Sequence, residues 1–443
     1  MRPPDRGSVT LLRSIDLKAL SAGIFNTIVG AGIFVLPATV AGLVGSGAVF
    51  AYVFCAVAIL FVMLAYGSAG SRVTEAGGSI AYIHAAFGPL AGFLGGVMIW
   101  LSDTLASGSV AAAFAAAVAV YVPAAANPTG RTLLLAVVLG GLAAVNVRGA
   151  TKGANLVELV TVVKLAPLFL FVIVGLALRW HDIPRPTIPA ADALGRAAVF
   201  LMFAFSGAET SMALSGEVVD AHKTIPRALM IALAVITLLY GSVHAVAAAV
   251  LGASLPTSTV APLADAAGIL GGAPLRSVLL VGTALSMLGY LSAIVLATPR
   301  SVYRIGRAGV LPRALGSIHP RFRTPHVAIV AQTIVTFAIA ATGTFTLLVP
   351  LATVAVLVLY MTVCLAAWRL ASLDVRGDGE PFRVPSPVFV TGAVLCVWLL
   401  WNTTLREQLL EAVVLAAAAL LFMWRTRGRD ADAVAAEITE QSA

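Results

Sequence analysis

The chain has 443 residues, of which 60% are hydrophobic and only 11% are charged. Soluble globular proteins are about half apolar and carry about a quarter charged residues, so this composition excludes a soluble protein. A helix needs about 20 apolar residues to span a bilayer, and the chain has enough for roughly a dozen such helices. The composition therefore predicts an all-α polytopic membrane protein without a separate soluble domain.

The formal net charge is +8, but the 28 Lys and Arg residues lie between apolar runs and form no single basic face. This distribution excludes a nucleic-acid-binding protein. The three cysteines lie inside apolar runs, without the spacing of a metal site (Cys55, Cys364 and Cys396). We therefore expect no disulfide, no metal and no cofactor.

Charge-free runs predict twelve transmembrane helices. Residues 1–18 carry four basic residues and no signal-peptide cleavage pattern, which indicates a cytoplasmic tail. The first two spans lie between Lys18 and Arg72 and meet near residues 45–47. The other ten are expected at about 88–122, 131–147, 153–178, 194–215, 227–251, 276–299, 325–345, 347–369, 386–404 and 407–424.

The basic residues predict the orientation of these spans. Twelve spans place both termini on one side of the membrane, and that side receives 21 of the 28 Lys and Arg residues. Basic residues collect in cytoplasmic loops of membrane proteins. We therefore expect both termini in the cytoplasm, in a bacterial-type inner or plasma membrane.

Small residues interrupt two of the predicted spans. Unwound backbone at membrane depth is tolerated where it lines a polar cavity, although a Gly-x-Gly sequence also permits close helix packing. Interrupted spans at corresponding positions of two halves indicate an inverted repeat with the substrate between them. We favour a substrate site at both breaks, formed by Ile28, Val29, Gly30, Ala31 and Gly32 in the first span and by Ser206 and Gly207 in the sixth.

Three ionisable residues lie inside spans, where a charged group is costly and usually functional. Lys164, about eleven residues into the fifth span, either exchanges a proton or is a fixed counter-charge. Glu209, after the second break, can relay protons, accept a substrate ammonium group or bind freed amides, and we favour the amides. Asp103, halfway along the third span, either faces the pocket and favours a cationic substrate or pairs with another helix.

Other side chains give weaker signals. Phe203 and Phe205 precede the second break and are placed to close over a ligand, although buried aromatic residues usually only pack. His244 is expected to be a satisfied core residue. Spans seven, nine and ten have no charged side chain between their end residues, which argues against a channel. The chain also has no H-E-x-x-H or G-x-S-x-G motif of a hydrolase.

Five short motifs follow one another along the chain, at residues 23–34, at 75–82 with 86–88, at 203–209 with 216–218 and 224–228, at 300–312, and at 324–326. In this order and spacing they resemble the amino acid–polyamine–organocation (APC) superfamily of permeases, over nearly the whole chain. In that family the second motif forms the cytoplasmic loop after helix two. One departure is Asp220-Ala221, where relatives usually have Asn/Asp-Pro.

The resemblance implies a LeuT-type fold with two inverted five-helix repeats at residues 19–178 and 194–370. Two further helices lie at 386–424, and a cytoplasmic tail follows at 425–443. The substrate carboxylate would meet the amides around Ala31 and Gly32. The substrate amino group would meet the carbonyls around Phe203, Ala204 and Ser206, with Phe203 as the gating aromatic.

The resemblance also bears on coupling ions. Lys164 matches the helix-five lysine that replaces a bound sodium ion in sodium-independent members. Sodium-coupled relatives have two adjacent hydroxyl residues on helix eight. Residues 280–297 contain Thr283, Ser286 and Ser292, but no two of these are adjacent. Sodium independence is therefore expected.

Together these features predict a secondary transporter of L-amino acids that works by alternating access and is coupled to protons through Lys164 and Glu209. The alternatives are an amino acid exchanger and, because of Asp103, a transporter of cationic amino acids or polyamines. A sensor that has a permease fold but does not transport is the alternative from another class. The expected partners are the amino acid, protons and the lipid bilayer, and no obligate protein partner is evident.

Overall fold

The structure is a computed structural model whose described residues are almost entirely helical. It describes residues 15–73, 77–149, 154–207, 209, 218–376, 380–427, 431, 433 and 434. Of residues 154–164, 221 and 222 the backbone alone is described. Lys164 and Glu158 are among these, so their side chains lie outside the described part of the chain, as do residue Ala208 and the motif at 216–217.

The α-helices follow one another with short connections. In chain order they are α1 (Leu17–Ile28), α2 (Gly32–Val44), α3 (Ala48–Gly70), α4 (Ser79–Phe87), α5 (Pro89–Ala119), α6 (Pro128–Arg148), α7 (Ala154–Arg179), α8 (Ala191–Phe205), α9 (Ala221–Leu251), α10 (Pro262–Arg307), α11 (His326–Thr342), α12 (Phe345–Ser372), α13 (Ser386–Trp401) and α14 (Leu405–Arg425).

Polar side chains fix the starts of several helices by binding amides that have no partner within the helix. Asp16 accepts a hydrogen bond from the Ala19 amide (2.8 Å) at the start of α1. Asn127 does the same for Gly130 (2.7 Å) at the start of α6. At α14 the Thr404 hydroxyl and the Glu407 carboxylate form a reciprocal capping box.

The helices are those of a polytopic membrane protein. Within the described residues, eight stretches are long and apolar enough to cross a membrane, and α11 and α13 are shorter apolar helices. Each of the twelve predicted spans contains at least one helix. The number of twelve crossings and the arrangement in two five-helix repeats stay predictions.

Two stretches differ from the sequence prediction. The expected loop after the second span contains the helix α4, which lies between Gly78 (φ 55°) and Gly88 (φ 88°). Glycine tolerates these left-handed conformations, so the chain turns sharply at both ends of an apolar segment that is free to be helical. α10 is much longer than the predicted span, because the helix begins at Pro262 and continues through the arginine segment as far as Arg307. A kink at residues 271–272 divides it.

The entry to α1 and the entry to α9 are joined. Ile15 and Val218 form an isolated parallel bridge, and the Val219 amide donates to the Ile15 carbonyl (3.0 Å). A β-carbon on Gly32 of α2 would lie 3.1 Å from the β-carbon of Ala204 in α8, so these two helices also touch. The first and sixth predicted spans therefore pack side by side, with their breaks at the contact.

Candidate functional site

The first break separates α1 from α2. α1 ends at Ile28 and α2 begins at Gly32, while residues 29–31 between them are not helical. The first amides of α2 have no partner within the helix, and the helix dipole makes this end electropositive. Among the described residues, apart from its two chain neighbours, a β-carbon on Gly30 would have only the Ile28 carbonyl oxygen within 4 Å, at 3.8 Å. Open space therefore lies beside this peptide, where an anion can approach.

The second break follows α8. Ser206 is extended (φ −72°, ψ 159°), and Gly207 has a φ of 117°. Residues with a β-carbon rarely adopt that φ, so the turn favours glycine. A β-carbon on Gly207 would lie 2.8 Å from the carbonyl oxygen of Thr27. The two breaks therefore approach each other so closely that only glycine fits between them.

One hydroxyl lies between the carbonyl ends of both half-helices. The Tyr240 Oη of α9 lies 3.0 Å from the Ile28 carbonyl oxygen and 3.2 Å from the Ala204 carbonyl oxygen. A phenol has one proton to donate, so it bonds fully to one carbonyl at a time. The Tyr240 ring is fully buried and packs edge-on against Phe205, with ring centroids 5.4 Å apart. Tyr240 thus links the end of α1 to the end of α8.

A carboxylate holds the chain beyond the second break. Glu209 Oε2 accepts hydrogen bonds from the Gly207 amide (2.9 Å) and from the Tyr360 hydroxyl of α12 (2.7 Å). The Tyr360 ring packs edge-on against Tyr66 of α3, whose hydroxyl accepts a hydrogen bond from Ser79 (3.0 Å). The Glu209 carboxylate therefore binds a freed amide, and two hydrogen bonds with a ring contact between them connect it to α4.

Asp103 lies on α5 and is half-buried. It interacts electrostatically with Glu209 and with Tyr290 of α10, so the charge on each of these groups influences the others. Among the described side chains no cation pairs with Asp103 within 4.0 Å. The described side chains thus give Asp103 no structural counter-charge, and its place in the pocket stays a prediction.

The two phenylalanines before the second break have different surroundings. Phe203 is half-buried and packs edge-on against Phe345 of α12, with ring centroids 5.9 Å apart. Phe205 is fully buried against Tyr240. Phe203 keeps the exposure that a gating aromatic needs, whereas Phe205 is a packing residue. That both rings close over a ligand stays a prediction.

His244 is a core residue, but the prediction of a satisfied one was wrong. It is buried on α9, and its Nδ1 has no hydrogen-bond partner among the described residues. Its ring lies against Tyr52 of α3, with centroids 5.5 Å apart, and the Tyr52 hydroxyl is likewise unpaired in the described part of the chain. Tyr52 in turn packs edge-on against Tyr240. Two unpaired polar groups therefore adjoin the linking tyrosine.

The sequence interpretation missed the tyrosines of the site: Tyr66, Tyr240, Tyr290 and Tyr360. A signal was present, because a buried tyrosine usually finds a partner for its hydroxyl, and each of the four lies in an apolar run. The partners of Tyr240 are backbone carbonyls on two other helices, which no local pattern reveals. The tertiary contact was needed to find them.

Helices interrupted at two touching breaks, with opposite dipole ends at the gap, are typical of transporters. A family model described as amino acid permease matches residues 15–423 of the chain. The chain belongs to the amino acid permease family. The resemblance to the APC superfamily is thereby confirmed for this permease.

Individual relatives cover most of this permease. An uncharacterized transporter of Mycobacterium tuberculosis is 31% identical over 395 residues, which are 88% of this chain and 86% of the relative. The branched-chain amino acid permease BcaP of Lactococcus lactis is 27% identical over 458 residues, which cover 96% of this chain and 97% of the relative. The serine/threonine exchanger SteT of Bacillus subtilis is 28% identical over 348 residues, which cover 75% of this chain and 76% of the relative. These relatives support amino acid transport, and as transporters they are not enzymes.

Proposed function

We propose that this permease is a secondary transporter that carries L-amino acids across the plasma membrane by alternating access. The observation that carries the proposal is the meeting of the two breaks. At that point the amide end of α2 lies next to the carbonyl ends of α1 and α8. One gap thus offers donors to a carboxylate and acceptors to an ammonium group. An α-amino acid zwitterion has both groups on one carbon.

The substrate carboxylate is assigned to the amides around Ala31 and Gly32. Gly30 leaves open space for its approach, since a β-carbon there would touch only one backbone atom within 4 Å. The ammonium group is assigned to carbonyls at the end of α8. The Phe203 carbonyl already accepts from the Ser206 hydroxyl (2.8 Å), and the Ala204 carbonyl shares the single proton of Tyr240 with α1. The Ala204 carbonyl therefore has spare capacity for a further donor.

Alternating access is assigned to a rocking motion of the helices that carry the breaks, α1, α2 and α8. Phe203 is the proposed gate, because it is half-buried between the second break and Phe345 of α12. The proposed topology has twelve spans in two inverted repeats of five plus two further helices, with both termini in the cytoplasm. The excess of basic residues on the side of the termini supports that orientation.

Proton-coupled symport without sodium is the proposed energetics. Lys164 and Glu209 supply titratable groups within spans, and Asp103 and Tyr290 interact electrostatically with Glu209. On α10 the Thr283 hydroxyl donates to a carbonyl of its own helix (2.7 Å) and has no hydroxyl neighbour in sequence. That arrangement supports sodium independence.

Two other activities have specific support. Amino acid exchange is supported by SteT, which is described as a serine/threonine exchanger. Transport of cationic amino acids or polyamines is supported by Asp103, a carboxylate inside a span that interacts electrostatically with Glu209 and has no cationic partner among the described side chains. A sensor that does not transport has no observation in its favour beyond the shared fold.

The test is uptake of radiolabelled amino acids and putrescine into proteoliposomes in sodium-free buffer, with and without an inward proton gradient. Protein-free liposomes provide the background. Accumulation that requires the gradient would establish proton symport. Uptake only into vesicles preloaded with amino acid would replace symport by exchange, and the absence of uptake for every compound would overturn the transporter proposal.

A further inference from the structure

A cavity of about 290 Å³ lies between α5, α10, α11 and α14, and no residue of the two breaks lines it. Residues on each helix line it, among them Val97 and Trp100 on α5, Ile305 on α10, Gln332 on α11, and Ala418 and Leu421 on α14. All the surface that faces the cavity is apolar. Between Val414 and Leu421 it follows α14 for about 10 Å, at 1.5 Å per residue. We call it the α14 cavity.

The α14 cavity cannot hold water favourably. Its two polar lining side chains bond to each other, since Trp100 Nε1 donates to Gln332 Oε1 (2.8 Å), and Gln332 Nε2 donates to Thr104 (2.9 Å). A trapped water needs two to four polar partners, and an apolar cavity that lacks them stays dry or binds an apolar guest. The cavity therefore suits an apolar chain.

One end of the α14 cavity adjoins a basic segment. Residues 300–323 contain six arginines and no acidic residue. The lining residues Val302, Ile305, Leu311 and Leu315 alternate in this segment with Arg304, Arg307 and Arg313. Among the described residues no carboxylate pairs with any of these arginines. Arg300 and Arg304 lie one helical turn apart, where like charges repel, so an anion is favourable there.

The outer side of α14 is open to the membrane. Leu420 is 65% exposed and Trp424 is 60% exposed, while Ala418 and Leu421 of the same helix line the cavity. Arg425 follows Leu421 by one turn and adds a cation at the same end of α14. α14 therefore has an exposed apolar face on one side and the cavity on the other, with basic residues near one end of both.

We propose that the α14 cavity binds an acyl chain of an anionic phospholipid, whose phosphate is held by the arginines of segment 304–313. Arginine binds phosphate through charge-assisted hydrogen bonds, and basic pockets between transmembrane helices bind anionic headgroups. The apolar lining binds the acyl chain, and the arginines select a lipid whose headgroup is negatively charged. This lipid site is separate from the substrate site at the breaks and does not depend on the proposed transport activity.

The test is native mass spectrometry of the purified full-length protein with phosphatidylglycerol or phosphatidylcholine of identical acyl chains. We expect retention of phosphatidylglycerol over phosphatidylcholine, and a reduction of about fivefold for each arginine changed to glutamine among Arg304, Arg307 and Arg313. Arg185→Gln, at an exposed position outside the basic segment, is the matched control and should change nothing.

The cavity itself is tested by filling it. Ala418→Trp should reduce retention of phosphatidylglycerol to the level of phosphatidylcholine, whereas Leu420→Trp, on the exposed face of the same helix, should not. Val414→Phe fills the cavity with a smaller change of volume and serves if Ala418→Trp fails to fold. Equal retention of both lipids by the wild type overturns the proposal. It is also overturned if the filling variants retain phosphatidylglycerol as well as Leu420→Trp does. A third contrary result is that filling the cavity displaces an uncharged apolar molecule and not phosphatidylglycerol.

Discussion

The Tyr360 hydroxyl donates to the Glu209 carboxylate over 2.7 Å and so ties α12 to the chain just beyond the second break. The same carboxylate oxygen accepts from the Gly207 amide. Glu209 is therefore a structural acceptor at the break and, because it is ionisable, a candidate proton carrier. Substitutions that keep or remove an acceptor oxygen separate the two roles.

We expect Glu209→Ala to reduce substrate affinity more than about tenfold, because two buried donors lose their partner and each costs about 1–3 kcal/mol. Glu209→Gln keeps an acceptor oxygen but cannot ionise. It should bind substrate within about tenfold of the wild type and exchange it, yet no longer respond to a proton gradient. Binding to purified protein and uptake by proteoliposomes provide the two measurements.

Tyr66→Phe is the control for that pair of variants. It keeps a ring against Tyr360 and removes a hydroxyl that accepts from Ser79 but makes no direct hydrogen bond to Glu209. Its response to the gradient should match that of the wild type. A Glu209→Gln protein that still accumulates substrate under the gradient would leave Glu209 with the structural role alone.

Tyr240→Phe should weaken substrate binding about tenfold, because it removes the hydroxyl that joins the carbonyl ends of α1 and α8 and leaves a buried carbonyl unpaired. Isothermal titration with a transported amino acid measures the affinity. Hydrogen exchange at peptides covering residues 25–34 and 202–207 measures how firmly the breaks are held. The exchange rate of these peptides should be higher in Tyr240→Phe than in the wild type.

Tyr52→Phe is matched to Tyr240→Phe. Tyr52 is equally buried and packs against the Tyr240 ring, but its hydroxyl has no hydrogen bond within the described part of the chain. The variant should bind substrate like the wild type. Equal loss in both variants would mean that Tyr240 contributes packing and not a link between the breaks.

Gly30→Val should reduce substrate affinity at least about tenfold while the melting temperature stays within a few degrees of the wild type. The added side chain enters open space next to the break and excludes the substrate carboxylate, without meeting a neighbouring side chain within 4 Å at its β-carbon. Gly140→Val provides the control, because Gly140 lies exposed on α6 with nothing within 4 Å of a β-carbon. Unchanged affinity in Gly30→Val would remove the carboxylate assignment.

Asp103→Asn should weaken uptake of lysine and putrescine more than uptake of alanine, because only the first two carry a further positive charge to meet the carboxylate. Competition of each compound with a labelled substrate gives the ratio. Asp265→Asn changes a carboxylate that already accepts from Ser258 and pairs with Arg276, and should leave the ratio unaltered. Equal weakening for all three compounds in Asp103→Asn would assign Asp103 a structural role.

Lys164→Ala should abolish the pH dependence of uptake or block transport, with the protein still folded by circular dichroism. The expectation follows from a lysine inside a span that exchanges a proton during each cycle. Lys223→Ala changes an exposed lysine at the start of α9 and should keep the wild-type pH profile. A Lys164→Ala protein with the same pH profile would exclude Lys164 as the proton carrier.

The amino-acid sequence alone determined the membrane class, the places of the helices and the two breaks. Apolar runs, glycines and charges act over one span, so their effects can be read from neighbouring residues: Gly30 and Gly207 could be assigned to breaks before any contact was known. The predicted boundaries were wrong at α4 and α10. They depend on turns and on extensions of helices beyond the spans, which the positions of charged residues do not indicate.

Tertiary structure alone decided which groups meet. Tyr240 donates to carbonyls on α1 and α8, and Tyr360 donates to a carboxylate 151 positions earlier in the chain. It also separated Phe203 from Phe205, which differ in burial although they stand two residues apart. The physical reason is that a buried hydrogen bond needs a partner in space and not in sequence. In an apolar chain any of several helices can supply that partner, and their packing selects which one does.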